Sequence, residues 1–272
     1  MGSLHDEGGE PAALGVVSFL NALPLVEGLD ATTGVSLVYA VPSALAGMLR
    51  GGEVDAALIP VIDLARGQGR WRRISDAGIA ADGETLTVRV FSRVPPEEMT
   101  VLYADDDSHT SVALARLIWS RYYERQLHVR PLSAADGLEA CDSVLLIGDK
   151  VVSAPMHDFG FDVDLGGAWK EWTGLPFVFA AWAAPPGGRT ERLAALLSAA
   201  RDRGVARALD IAAQAGPPRG WPVELAEEYL TRRLMYTLTP PAVEGMKLFF
   251  DLAAEEGIIA ERSELVEPAA GA

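Results

Sequence analysis

Short apolar runs recur through the first half of the chain, separated by stretches whose apolar residues have helical spacing. Leu14–Ser18, Val35–Ala40 and Val54–Ile59 are such runs, and their alternation with helical stretches predicts parallel strands joined by crossover helices. Between the second and third, residues 42–52 read PSALAGMLRGG, with proline in the first helical turn and glycines at the end. That punctuation predicts a short helix, with Leu45, Met48 and Leu49 on one face. A β-rich segment over Glu84–Ser92 follows, until Pro95-Pro96 interrupt any regular element. The alternation then restarts with a strand at Thr100–Tyr103, a helix over Ser111–Glu124 and strands at Leu127–Pro131 and Ser143–Ile147. A restart after a break predicts a second α/β lobe. The apolar run Phe177–Ala184 leads through Pro185-Pro186-Gly187-Gly188 into a stretch that reads as three helices, Glu191–Ala213, Pro222–Met235 and Ala242–Glu256. The last of these starts after Thr239-Pro240-Pro241 and stops at Gly257. No internal repeat and no coiled-coil heptad run is visible, and the tail after Ser263 reads as frayed.

Composition narrows the function classes. With 272 residues, 49% hydrophobic and 22% charged, the chain can bury one large core or two modest ones. No apolar run reaches the ~20 residues of a membrane span. The opening MGSLHDEGGEPAA has neither a basic start nor an apolar core, so it does not read as a secretory signal, and a cytoplasmic location is expected. Asp6 also breaks the myristoylation pattern. A single cysteine, Cys141, leaves no internal disulfide and no multi-cysteine metal site. The formal charge of −15, without a Lys/Arg cluster, argues against a nucleic-acid surface. An anionic ligand would need help from helix N-termini, hydroxyls or a few arginines against that field.

The best-formed candidate site is DDDSHTSVALARLIW, Asp105–Trp119, where a strand-end loop becomes a helix. Ser108, His109, Thr110 and Ser111 stand at the start of that helix, whose unpaired N–H groups and dipole suit a carboxylate or phosphate. The same residues fit plain N-capping by Asp107 or Ser108. Ser18 and Asn21, in SFLNALPL, follow the first strand, and ligands in open α/β sheets bind beyond strand C-terminal ends. Asn21 can donate and accept, which orients a ligand but makes a poor base; an Asx turn before Pro24 is the other reading. Asp149, after the strand ending Leu145-Leu146-Ile147-Gly148, sits at the same crevice edge or caps a helix. Thr87 and Arg89 share one face of a strand by alternation, and threonine is also a common strand former. The four histidines, His5, His109, His128 and His157, show no metal-ligand spacing, and no P-loop, Rossmann or serine-hydrolase signature is present, so no metal and no cofactor are expected.

Five segments in order, VVSFLNALPL, GGEVDAALIPV, SHTSVALARLIW, LLIGD and DLGGAWKEWTGLPFVFAAW, resemble the motifs of the chorismate dehydratase family of the futalosine route to menaquinone. YLTRRLMYTLTPPAVEGMKLFFDLAAEEGII resembles the family's C-terminal helices, so the match runs from about Leu14 to Ile259. The resemblance implies a type II periplasmic-binding-protein-like α/β fold, two lobes with the ligand in the cleft between them and a helical C-terminal segment. The expected organisation is a tail over 1–13, a discontinuous lobe over 14–93 plus 184–272, and a second lobe over 94–183. It further implies removal of water from chorismate, with Asn21 and Thr87 as catalytic residues and Ser18, Ser108, His109, Thr110, Ser111 and Asp149 binding substrate. Thr87 stands where the family pattern Gly-x-Val-x-Ser-Val has serine, which keeps the hydroxyl and adds a methyl. The expected partner is the small molecule chorismate, with no nucleic acid or membrane, acting as monomer or homodimer. The rival reading is a non-catalytic solute-binding or sensor protein for a small aromatic carboxylate on the same fold.

Overall fold

The computed structural model describes residues 11–260 except 68, 106, 107, 136, 155, 157, 188 and 189. Most of the expected N-terminal tail, the C-terminal tail, Asp107, His5 and His157 therefore lie outside the described residues. β1 (Ala12–Val17) leads through a 3-10 turn, Leu20–Leu25, to β2 (Val35–Ala40), α1 (Pro42–Gly51), β3 (Ala56–Pro60) and α2 (Val61–Arg66). β4 (Arg72–Ala81), β5 (Val88–Ser92), β6 (Val101–Ala104), α3 (His109–Arg121), β7 (His128–Pro131) and β8 (Ser143–Ile147) follow. After α4 (Lys150–Ser153) come β9 (Phe161–Asp164), α5 (Leu165–Thr173) and β10 (Phe177–Ala184). The remainder is α6 (Thr190–Ala206), α7 (Ala208–Ala215), α8 (Val223–Glu228) with a π-helical turn Tyr229–Arg233, β11 (Met235–Thr237) and α9 (Pro240–Glu255).

The strands form two sheets, ordered β11-β4-β10-β3-β1-β2 and β7-β6-β8-β5-β9. β1 runs parallel to both β2 and β3, and β6 runs parallel to both β7 and β8, as the alternation of strands and helices predicts. All five residues of β3 are buried, which is why it reads as a continuous apolar run rather than an alternating one. Pro42 opens α1, and Gly52, at φ 73°, closes it in the left-handed conformation its sequence foretells.

The chain passes from the first sheet to the second through residues 82–87, because β4 belongs to the first and β5 to the second. It returns through α5, since β10 lies antiparallel between β3 and β4. The expected boundaries at 93/94 and 183/184 thus fall at the far ends of β5 and β10. An apolar run carries no mark of which sheet it will join, and Pro95-Pro96 end a strand rather than a lobe. β4 itself is hidden in the sequence by Arg72, Arg73, Ser75 and Asp76, which break its apolar pattern. The helix expected over Glu191–Ala213 is two helices broken at Arg207, and the one expected over Pro222–Met235 ends in the π-helical turn and β11.

One core packs α6 and α7 against the first sheet through Leu14, Leu20, Trp182 and Leu197. A second joins α2, α3, α5 and α9 to both sheets, where Trp169, Phe177 and Phe249 meet edge-on at 4.9–6.2 Å between ring centres. Where α6 crosses the 3-10 turn, a Cβ on Gly204 would lie 1.9 Å from the Pro24 carbonyl oxygen, so this close approach requires glycine. The crossing fixes the backbone of the segment that carries Asn21. No helix among the described residues is long and apolar enough to cross a membrane.

Candidate active site

Between the two sheets lies a cavity lined by residues of both. Asn21 reaches it from the turn after β1, Thr87 from the end of the crossing segment, and Ser108, His109, Thr110 and Ser111 from the start of α3. Phe19, Leu58, Ile79, Ile147, Phe179 and Leu234 give it apolar walls. Among the described residues that line it, only His109 can carry a positive charge, so an anion there relies on α3's N-terminus, hydroxyls and that one imidazole.

Asn21 and Thr87 converge on a residue the sequence did not single out. The Thr87 hydroxyl lies 2.6 Å from the Tyr229 hydroxyl, and the Asn21 carboxamide lies beside the same phenol. Tyr229 is 1% exposed and its ring stacks on Trp221 at 4.8 Å. Burial pushes its hydroxyl far above the ordinary tyrosine value, against the opposing effect of Thr87 and Asn21, so the phenol stays protonated and is no base. The Asn21 Oδ1 atom is buried with no partner among the described residues. A buried acceptor left open beside a cavity marks a place for a ligand donor.

Across the cavity, Ser108 precedes α3 but makes no side-chain cap hydrogen bond, and its Oγ is likewise buried without a partner among the described residues. The capping alternative therefore does not use the Ser108 hydroxyl, and Asp107 lies outside the described residues. The Thr110 hydroxyl accepts from the Ile62 N–H at 3.3 Å, and His109 Nδ1 lies 2.7 Å from the buried Asp63 carboxylate. The start of α3 is thus docked on the start of α2. Asp63 also fixes the imidazole's orientation from the opposite side of the cleft.

Thr87 is held by Asp164, a second residue the sequence left unmarked. The Asp164 carboxylate caps α5 by accepting from Gly166 and Gly167 N–H at 3.0 and 3.1 Å. It also accepts from the Thr85 N–H at 2.9 Å and the Leu86 N–H at 2.8 Å. Between them these bonds hold Leu86 at φ 72°, a left-handed conformation rare for a branched side chain. One carboxylate therefore joins both crossing segments and sets the turn that presents Thr87.

Two expected binding residues fall elsewhere. Ser18 is exposed and does not line the cavity, because β1 ends at Val17 and the chain turns before the cleft-facing Asn21. Asp149 does not line it either: Trp221 donates to it at 2.9 Å and Arg219 stands 4.0 Å away. Burial raises its pKa despite these partners. Asp149 ties the loop after β8 to the C-terminal segment. Beside it Gly148, at φ 62°, leaves room for the Phe19 ring, which would lie 3.0 Å from an added Cβ.

Among the described residues no group of three or more His, Cys, Asp or Glu side chains is placed to hold a metal ion. Residues 12–255 match the family described as menaquinone biosynthesis. The chain is 28% identical to the chorismate dehydratase of Thermus thermophilus over 260 residues, 88% of this chain and 94% of that one. In fold it is similar to a protein of Archaeoglobus fulgidus, with a TM-score of 0.72 at 16% identity over 93% of this chain and all of that one. It is also similar to the periplasmic aliphatic sulphonate binding protein of Escherichia coli, with a TM-score of 0.65 at 14% identity over 96% and 94% of the two chains. Two α/β sheets flanking a cleft are thus the periplasmic-binding-protein fold, and with the match over residues 12–255 they show that the chain belongs to the chorismate dehydratase family of menaquinone biosynthesis.

Proposed function

We propose that the protein is a hydro-lyase that removes water from chorismate to give 3-[(1-carboxyvinyl)oxy]benzoate, the futalosine-route entry to menaquinone. The observation that carries this reading is the pair of buried, unpartnered polar atoms, Asn21 Oδ1 and Ser108 Oγ, on opposite walls of one cavity. Such atoms are costly to a fold unless a ligand satisfies them. In the elimination the ring C3–H bond and the C4–O bond break, the ring becomes aromatic, and the C3 proton and the hydroxyl are together released as water. The change is redox-neutral. Aromatisation supplies the driving force, so the protein's task is to hold a dianion in the eliminating conformation and to stabilise charge as it develops.

The start of α3, with Ser108, Thr110 and His109, takes one substrate carboxylate. Asn21 and Thr87 stand across from it, at the reacting edge of the ring. Neither is a strong base, which supports proton removal by the substrate's own enolpyruvyl carboxylate, oriented by Asn21. Incubation with chorismate followed by mass spectrometry is the test: a product lighter by one water, lost in Asn21→Ala, is expected. An Asn21→Asp variant with full activity would contradict the role given to Asn21. Unchanged chorismate that still raises the melting temperature would instead indicate the binding-protein reading.

A further inference from the structure

Tyr229 touches both residues placed at the reacting edge, yet neither the sequence motifs nor the proposed chemistry assign it a part. Its hydroxyl has one proton to give. The side chain within hydrogen-bond distance of it is the Thr87 hydroxyl, at 2.6 Å, with the Asn21 carboxamide beside it. The Asn21 Oδ1 atom has no partner among the described residues, so it does not take the phenol proton. If Thr87 donated, the phenol proton would be left without an acceptor in a buried position. One direction leaves the buried phenol proton paired: Tyr229 donates to Thr87.

That direction has a consequence at the cavity wall. With its oxygen already accepting from Tyr229, the Thr87 hydroxyl keeps its own proton free to donate, while Asn21 keeps Oδ1 free to accept. We propose that Tyr229 is a positioning residue that sets the direction of this relay, so that Thr87 presents a donor and Asn21 an acceptor to one substrate. Resting on the dehydratase reading above, the donor serves the departing C4 oxygen, which gains negative character as its bond to carbon breaks. The neighbouring structure suits a fixed relay. Trp221 stacks on the phenol with a 19° interplanar angle, and the π-helical turn that begins at Tyr229 sets where the ring leaves the helix. Asp164 fixes the Thr87 end.

Tyr229→Phe keeps the ring, its stacking and its burial, and removes only the hydroxyl. The expected result is a fall in kcat of about 10- to 100-fold with KM for chorismate within about threefold. Thr87→Val with Tyr229→Phe should be no slower than Thr87→Val alone, because the relay ends at Thr87. Wild-type kcat in Tyr229→Phe, or losses that multiply in the double variant, would overturn the proposal. Wild-type turnover is the control that separates this from failure of the dehydratase reading. A second measurement needs no substrate: the proton NMR resonance of the buried tyrosine hydroxyl, absent from Tyr229→Phe. It should move upfield in Thr87→Val, which removes its acceptor. A resonance unmoved in Thr87→Val would mean that Thr87 donates, and the assigned direction would be wrong even in a protein that turns nothing over.

Discussion

Asp164→Asn should unlock the crossing segments without changing the shape of the side chain. In the native protein Oδ1 accepts from the Gly166, Gly167 and Thr85 N–H groups, and Oδ2 accepts from the Leu86 N–H and the Thr85 hydroxyl. Asparagine has one oxygen, so in either orientation an NH₂ faces backbone donors. If it replaces Oδ2, the Leu86 bond is lost; if it replaces Oδ1, the α5 cap is lost. A hydrogen bond to a charged group is worth about 1.5–3 kcal/mol, and a lost cap about 1 kcal/mol. Donor-against-donor repulsion adds to either, which gives a loss of about 3 kcal/mol. For a chain of this size each kcal/mol lowers the melting temperature by about 2–4 °C, so a fall of about 6–12 °C is expected in calorimetry. With Leu86 released from its left-handed conformation, Thr87 loses its contact with Tyr229 and turnover falls as well. Asp162→Asn is the control, since Asp162 pairs with Arg89 but is 47% exposed. An exposed pair contributes about 1 kcal/mol or less. An Asp164→Asn melting point within about 2 °C of wild type, or an equal fall in Asp162→Asn, would refute the reasoning.

Other outcomes follow from the same geometry. Ser108→Ala removes a buried hydroxyl without a partner, so stability should hold or rise, by up to about 1 kcal/mol, while KM for chorismate increases; a less stable variant with unchanged KM would contradict the assignment. Burial raises the pKa of Asp149, so the carboxylate contributes most to stability when protonated, below its unfolded pKa, and loses that contribution as pH rises through the folded value. Asp149→Asn should therefore melt higher relative to wild type at pH 7 than at pH 4, and a difference of the opposite sign would sink this account. Thr87→Ser keeps the hydroxyl and should retain turnover within about threefold, whereas Thr87→Val should not, since removing one transition-state donor costs about 100-fold or more.

Local punctuation made much of this molecule legible. Pro42 and Gly52 bound α1, and Ser108–Ser111 mark a helix start that does line the cleft. Asn21 was visible because a carboxamide follows a buried strand. What stayed hidden acts across long sequence distances. Tyr229 lies 142 residues from Thr87, inside an ordinary helical pattern, and nothing near it reveals its partner. Asp164, unmarked in the sequence, caps α5 locally, yet its other oxygen organises a turn 78 residues earlier. Asp149 and Ser18 sit at strand ends like true ligands, and only the tertiary arrangement turns the first toward Trp221 and the second to solvent.

The central claim is that this cleft removes water from chorismate and leaves the enolpyruvyl ether intact. Proton NMR of chorismate during incubation with the protein reports both bonds at once. Ring signals should become aromatic while the two vinylic protons of the carboxyvinyl group persist, and with Asn21→Ala no aromatic signals should appear. Unchanged chorismate, or aromatic signals accompanied by free pyruvate, would contradict that claim.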